Sequence, residues 1–151
     1  MSFKDWLSKG WLVAHETSAS EISELFGIAD RDLKDCRTEG LSADWRLNIA
    51  YNAALQLAAA ALAACGYRAG RDAHHYRVIQ SLALTIGAER NIVVRFDVLR
   101  KKRNVAGYDR AGGVSEREAE EMFVLAKELY DLIKAWFERR HPELFIAEPT
   151  S

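Results

Sequence analysis

The stretch SADWRLNIAYNAALQLAAAALAACG, residues 42–66, decides the fold class. Ser42 is a good N-cap, Gly66 a good terminator, and nothing between them breaks a helix. Trp45, Ile49, Leu55, Leu62 and the run of alanines make the segment apolar almost all round, which places such a helix at the centre of a protein. Its alanines let neighbouring backbones approach closely. One polar stripe, Asp44, Asn48, Asn52 and Gln56, recurs at steps of four. It is expected to line a groove between helices or protomers, where amides satisfy each other, or equally to face a binding cleft, and Tyr51 can join it. The run from Ala53 to Cys65 is interrupted by Gln56 and falls short of the roughly 20 residues a membrane span needs.

Outward from this helix, the only prolines are Pro142 and Pro149, so long helices are permitted up to residue 141. Upstream, Ser18 and Glu21 make a capping-box pattern, and Ile22, Leu25, Phe26, Ala29 and Leu33 follow at helical spacing. This predicts a helix over 18–37. Downstream, 67–72 reads as a polar connector and 73–86 as a third helix, capped by Asp72 or His74 and closed by Gly87. A fourth spans 89 to about 106. Its valines favour a strand, but Ile92, Phe96 and Leu99 step by four and three, as on a helix face. A polar loop over 107–113 leads to a second capping box, Ser115 and Glu118. The last helix then runs to about Arg140, buried through Met122, Leu125, Leu129, Leu132, Ile133 and Trp136, and ends at His141-Pro142. Phe3, Trp6 and Trp11 are spaced for an amphipathic piece from Phe3 to about His15 that docks on the rest. The expectation is an all-α protein, an antiparallel four-helix-type bundle over about 18–140 with a short extra N-terminal helix, forming one domain over 1–151.

With 151 residues, 49% of them hydrophobic, the chain can build a core without disulfides. Cys36 and Cys65 read as small buried hydrophobes in a reducing cytosol. The start, MSFKDWLSKGW, lacks the apolar block of a signal peptide. A soluble, cytoplasmic protein with no membrane partner is expected. The net charge of −1 gives no bulk attraction to nucleic acid, but its distribution is uneven. From Glu89 to Arg110 seven basic residues stand against three acidic, and from Ser115 to Lys134 six acidic against three basic. Two helix faces that attract each other account for this, and a local anion site is the alternative.

One step of four beyond Leu99 the apolar stripe lands on Arg103. A guanidinium at the end of a core stripe cannot lose its charge, so it must reach water, a carboxylate, a carbonyl or an anionic ligand. The bland outcome is an arginine that snorkels or pairs with an acid of the last helix. Around it Arg100, Lys101, Lys102, Asn104 and Tyr108 offer fork-shaped donors, ammonium groups, an amide and a phenol within about two turns, a set that suits phosphate. His74 and His75 with Asp72 make a poor metal set, because adjacent histidines point to different helix faces and no further ligand lies at the right spacing. His15 and His141 read as surface residues. No glycine-rich phosphate loop, Ser-His-Asp set or zinc motif occurs, and nothing calls for a metal or cofactor.

At these residues the chain resembles the HEPN domain family. Lys-Lys-Arg-Asn-Val-Ala-Gly-Tyr-Asp, residues 101–109, is similar to the family signature, an Arg-Asn pair near the end of the fourth bundle helix followed by His or Tyr. The helical pattern, the segment from Trp45 to Gly66 and the His74-His75-Tyr76 start of the third helix also resemble family segments, most of all those of small stand-alone bacterial members with an Arg-Asn-x-x-x-Tyr form. The resemblance implies a homodimer in which the motif arginines of both protomers line a shared cleft, in a toxin-antitoxin, defence or stress setting. Many members are metal-independent ribonucleases, in which the arginine and a histidine four to six residues later serve attack of the 2′-hydroxyl on the neighbouring phosphate. Here Arg103 matches the arginine and Asn104 the residue after it, while Tyr108 stands in the histidine's place. A phenol that ionises near 10 is a poor proton shuttle at neutral pH. Members that pair with a nucleotidyltransferase-type antitoxin, the protein partner the resemblance offers, carry a further tyrosine where this chain has Arg110. The chain is closer to members that have lost the histidine and bind RNA or nucleotides. A ribonuclease with Arg103 and Tyr108 as catalytic candidates, and a structural interaction module, are the alternatives.

Overall fold

Three serines set where three of the helices begin. The computed structural model describes residues 2–109 and 113–145, with the side chains of 105–109 outside that description. In it the side chains of Ser18, Ser42 and Ser115 accept the backbone N–H three residues on, starting α2 (Ala19–Asp35), α3 (Ala43–Ala64) and α6 (Glu116–Arg140). The Ser115 box closes in both directions, with Glu118 accepting from the Ser115 N–H at 2.9 Å. The Ser18 box closes in only one. The Glu21 carboxylate turns instead to the Thr17 hydroxyl at 2.6 Å and to His15 Nε2 at 2.8 Å, bonds that hold it below the usual carboxylate range.

The described residues form six helices and one two-stranded ribbon, so the protein is mostly helical, as expected. The ribbon is a correction. The expected N-terminal helix stops as α1 (Phe3–Ser8), because Gly10 takes a left-handed φ of 75°. The chain then extends as β1 (Leu12–Ala14), which pairs antiparallel with β2 (Tyr67–Ala69), the stretch read as a connector. Gly70 is needed there, since a Cβ on it would stand 2.8 Å from the Gly10 carbonyl oxygen. Docking of the N-terminal aromatics holds: Phe3 stacks on Tyr67, and Trp6 is buried edge-on to Trp11.

α4 (His74–Thr85) begins without a side-chain cap, which corrects the reading of Asp72 or His74 as its cap. Its N-cap is Ala73, in the left-handed region at φ 53°, where an alanine is strained. α5 (Arg90–Asp109) runs through Gly107 to residue 109, past the expected start of the loop. Glycine inside a helix costs only about 1 kcal/mol relative to alanine, and no proline enforces a stop. Of the expected 107–113 loop, residues 110–112 lie outside the described residues.

α3 is the central helix, packed chiefly on α6 and α2 and then on α4 and α5. By length and composition it could cross a membrane, with a mean hydropathy of 1.3, but 67% of that window is buried inside the protein, as in a core helix. Ala50, Ala54, Ala58 and Ala61 are fully buried, so their small side chains set the close helix approach. Leu47, Leu57 and Leu62 fill the space between, each adding about 1.5–3 kcal/mol by leaving water. Two residues assigned to buried faces are not buried. Trp45 is 61% exposed and Leu132 is 42% exposed.

Candidate functional site

The stripe Ile92, Phe96, Leu99 on α5 is buried, and Arg103 continues it half-buried against α3. Its Nε donates to Asn48 Oδ1 at 2.6 Å, and its guanidinium carbon lies 4.9 Å from the centre of the Tyr51 ring. Both partners are neutral. Among the described residues no carboxylate lies within 4 Å of Arg103 in an ion pair, so of the two bland outcomes the pairing with an acid of the last helix is not found there. It is Lys102 that meets the last helix, 3.4 Å from Glu118, and Arg95 that reaches Glu128 at 3.9 Å. These two pairs are the attraction expected between the basic and acidic segments.

The other candidates divide sharply. Arg100 donates through Nε to Asp97 at 2.7 Å and lies over the Tyr76 ring. Lys101 stands 3.5 Å from the same carboxylate and is mostly exposed. Asn104 is half-buried with no hydrogen-bond partner among the described residues. The side chain of Tyr108 lies outside the described residues, although its backbone belongs to α5.

Tyr51 ties a second helix to the site. Its hydroxyl lies 3.1 Å from His75 Nδ1, and its ring meets Phe96 edge-on. Burial pushes its phenol up to about 12, so it stays protonated. Burial, then the nearby charges of Arg103, His74 and Arg100, hold the His75 imidazole below the usual histidine range. A neutral imidazole and a neutral phenol therefore sit beside an uncompensated guanidinium. In the sequence His75 stands in a poor metal set with Asp72 and His74 and in the His74-His75-Tyr76 segment of the resemblance, and sequence spacing alone does not bring it to Arg103. Among the described residues no three of His, Cys, Asp and Glu gather as a metal set.

The polar stripe of α3 splits between two neighbouring helices. Asn48 meets α5 through Arg103, whereas Asn52 donates to Asp32 of α2 at 2.7 Å and accepts from Gln56 at 3.2 Å. Asp32 is also held by Arg31. Asp44, at the near end, accepts the Val114 N–H at 3.2 Å. The stripe of α3 thus reaches both α2 and α5, with Asn52 and Gln56 satisfying each other as expected and Asn48 held instead by Arg103. An oxyanion placed there meets the free end of a guanidinium fork, the geometry that binds phosphate in two parallel hydrogen bonds. Cys36 and Cys65 take no part, and burial raises both thiols. Compared with protein-family models, with curated proteins and with solved structures, the chain finds no match.

Proposed function

We propose that this protein binds RNA or a nucleotide phosphate at Arg103 and holds it without cutting it. One observation carries the reading: Arg103 is half-buried with an amide oxygen and a ring as its partners among the described residues. A guanidinium paired with neutral groups keeps its full charge for a ligand, and the partly desolvated setting strengthens what that charge can do. The resemblance to the HEPN family makes the anion a nucleic-acid phosphate. It adds the four-helix-type bundle, the cytoplasmic homodimer, the toxin-antitoxin or defence setting and the nucleotidyltransferase-type partner as parts of the same proposal. Arg100, Lys101 and Lys102 add long-range attraction only, because each already has a carboxylate. Asn104 and Tyr108 complete the set.

The homodimer has its own support. Val94 and Val98 are about half exposed in one groove with Leu99, an apolar strip that a two-fold related copy can cover. Sedimentation is expected to give a dimer for the wild type and a monomer for Val98→Lys.

The test of binding is a gel assay of wild type and Arg103→Ala on total RNA, without metal, at two salt concentrations. Wild type is expected to bind, to lose affinity steeply as salt rises, and to leave the RNA intact, while Arg103→Ala binds weakly with a shallower salt slope. Equal binding by the two proteins contradicts the reading and favours the interaction module. Cleavage by wild type alone promotes the ribonuclease, which His75 supports by placing an imidazole on Tyr51 beside Arg103.

A further inference from the structure

Of the four tryptophans, three have aromatic or core partners. Trp6 meets Trp11 edge-on, Trp136 meets Phe137, and Arg77 lies 3.5 Å from the centre of the Trp11 ring. Trp45 has no ring or cation partner among the described residues, and at 61% it is the most exposed of the large hydrophobic side chains there. A bare indole on the surface forgoes the burial that aromatic side chains otherwise contribute. Its place in the fold explains what can cover it. Trp45 lies three residues before Asn48 on α3, and side chains at that spacing are neighbours on a helix surface, with Cβ atoms roughly 5–6 Å apart. Asn48 is the residue that accepts from Arg103. The indole and the uncompensated guanidinium therefore flank one amide.

We propose that Trp45 is a stacking platform for an unpaired nucleobase whose adjoining phosphate is held by Arg103, so that the ligand is single-stranded RNA rather than duplex. This rests on the phosphate-binding reading of Arg103. The charge of Arg103 selects a polyanion over an apolar peptide as the occupant, and a flat ring beside it selects a polyanion that carries flat rings. Every base has a π-face, so such a platform is tolerant of sequence. A duplex hides those faces inside its stack and leaves the indole nothing to cover. The Asp44 carboxylate in the same turn accepts the Val114 N–H.

The experiment uses the full chain and three probes: a short oligouridylate, a ribose-phosphate oligomer of the same length without bases, and an RNA duplex. Affinities are read for wild type, Trp45→Leu, Trp45→Phe and Arg103→Ala, with circular dichroism as the folding control. Wild type is expected to prefer the single strand to the baseless oligomer by about tenfold or more, the usual worth of one stacked base. Trp45→Leu should erase that preference while keeping its affinity for the baseless oligomer. Trp45→Phe should restore part of it, and Arg103→Ala should weaken both ligands. An unchanged preference in Trp45→Leu, or a duplex bound as tightly as the single strand, overturns the platform and leaves phosphate binding at Arg103 intact. Failure of wild type to bind any of the three probes overturns both.

Discussion

Two arginines come to rest against α3, and they face opposite kinds of partner. Arg46, on α3 itself, pairs through Nη2 with the Glu116 carboxylate. Beside it Arg37 holds Glu120 at 2.8 Å and lies over the Phe123 ring. The cleft these residues line, about 410 Å³, carries Glu39 as well, so acids outnumber bases in it. Arg103, at the other region, faces an amide and a phenol ring. On the proposed reading, density of positive charge along a chain does not locate an anion site. A cation whose near neighbours do not cancel it does, and the basic block from Arg90 to Arg110 contains several cations that are cancelled.

The comparison breaks most decisively at Asn48. Asn48→Asp supplies Arg103 with the carboxylate that Arg46 already has. RNA affinity is then expected to fall about 10- to 100-fold, the worth of a charge-assisted contact, with no loss of thermal stability. Arg103→Ala should lose as much affinity, and a titration of both variants at one salt concentration reads the two together. If Asn48→Asp binds as wild type does, the contrast between the regions has no functional meaning.

A second prediction concerns pH. The His75 imidazole is held below its ordinary value of 6.5 in the folded protein, so the unfolded chain binds that proton first. Stability is fully present above 6.5 and falls as the pH drops below it, until the lowered folded value is passed. Denaturant melts from pH 7.5 downward should show this fall, and His75→Gln should flatten it. A bound phosphate relieves the repulsion from Arg103, so RNA affinity should rise over the same interval. Arg46→Ala should leave the pH response untouched.

Smaller effects follow at the start of α4 and in the cancelled cleft. Ala73→Gly removes the cost of a left-handed alanine, and a gain of up to about 1 kcal/mol is expected in equilibrium unfolding. Arg46→Ala should cost about 1 kcal/mol or less, since Glu116 is 79% exposed and solvent screens the pair, and it should not change RNA affinity. A loss of binding there would erase the distinction between the two arginines.

The helices were legible because their signals are local. Ser18, Ser42 and Ser115 announce three starts, and the apolar spacing that follows each one is read within a few turns. The ribbon was not legible, since three-residue strands have no periodicity to speak of and acquire their meaning only from a partner far along the chain. Arg103 was legible as the end of an apolar stripe, whereas its partners were not, because Asn48, Tyr51 and His75 converge on it through packing of α3, α4 and α5. Trp45 misled for a related reason. Its spacing to Ile49 matches a buried face, yet among the described residues no element covers Trp45.

The ribbon has a consequence for how the site is assembled. Pairing residues 12–14 with 67–69 closes a long loop that contains α2 and α3, and an entropic cost of that kind is met only once the helices inside the loop have gathered. On a growing chain β1 emerges early and waits for β2, with Leu12 unburied in the interval. Trp11 then reaches Arg77 at the front of α4, the same helix that brings His75 to Tyr51. Arg103, Tyr51 and His75 would thus reach their final positions late in folding, and on the proposed reading a nascent chain would bind phosphate only after its first fifteen residues have found their place.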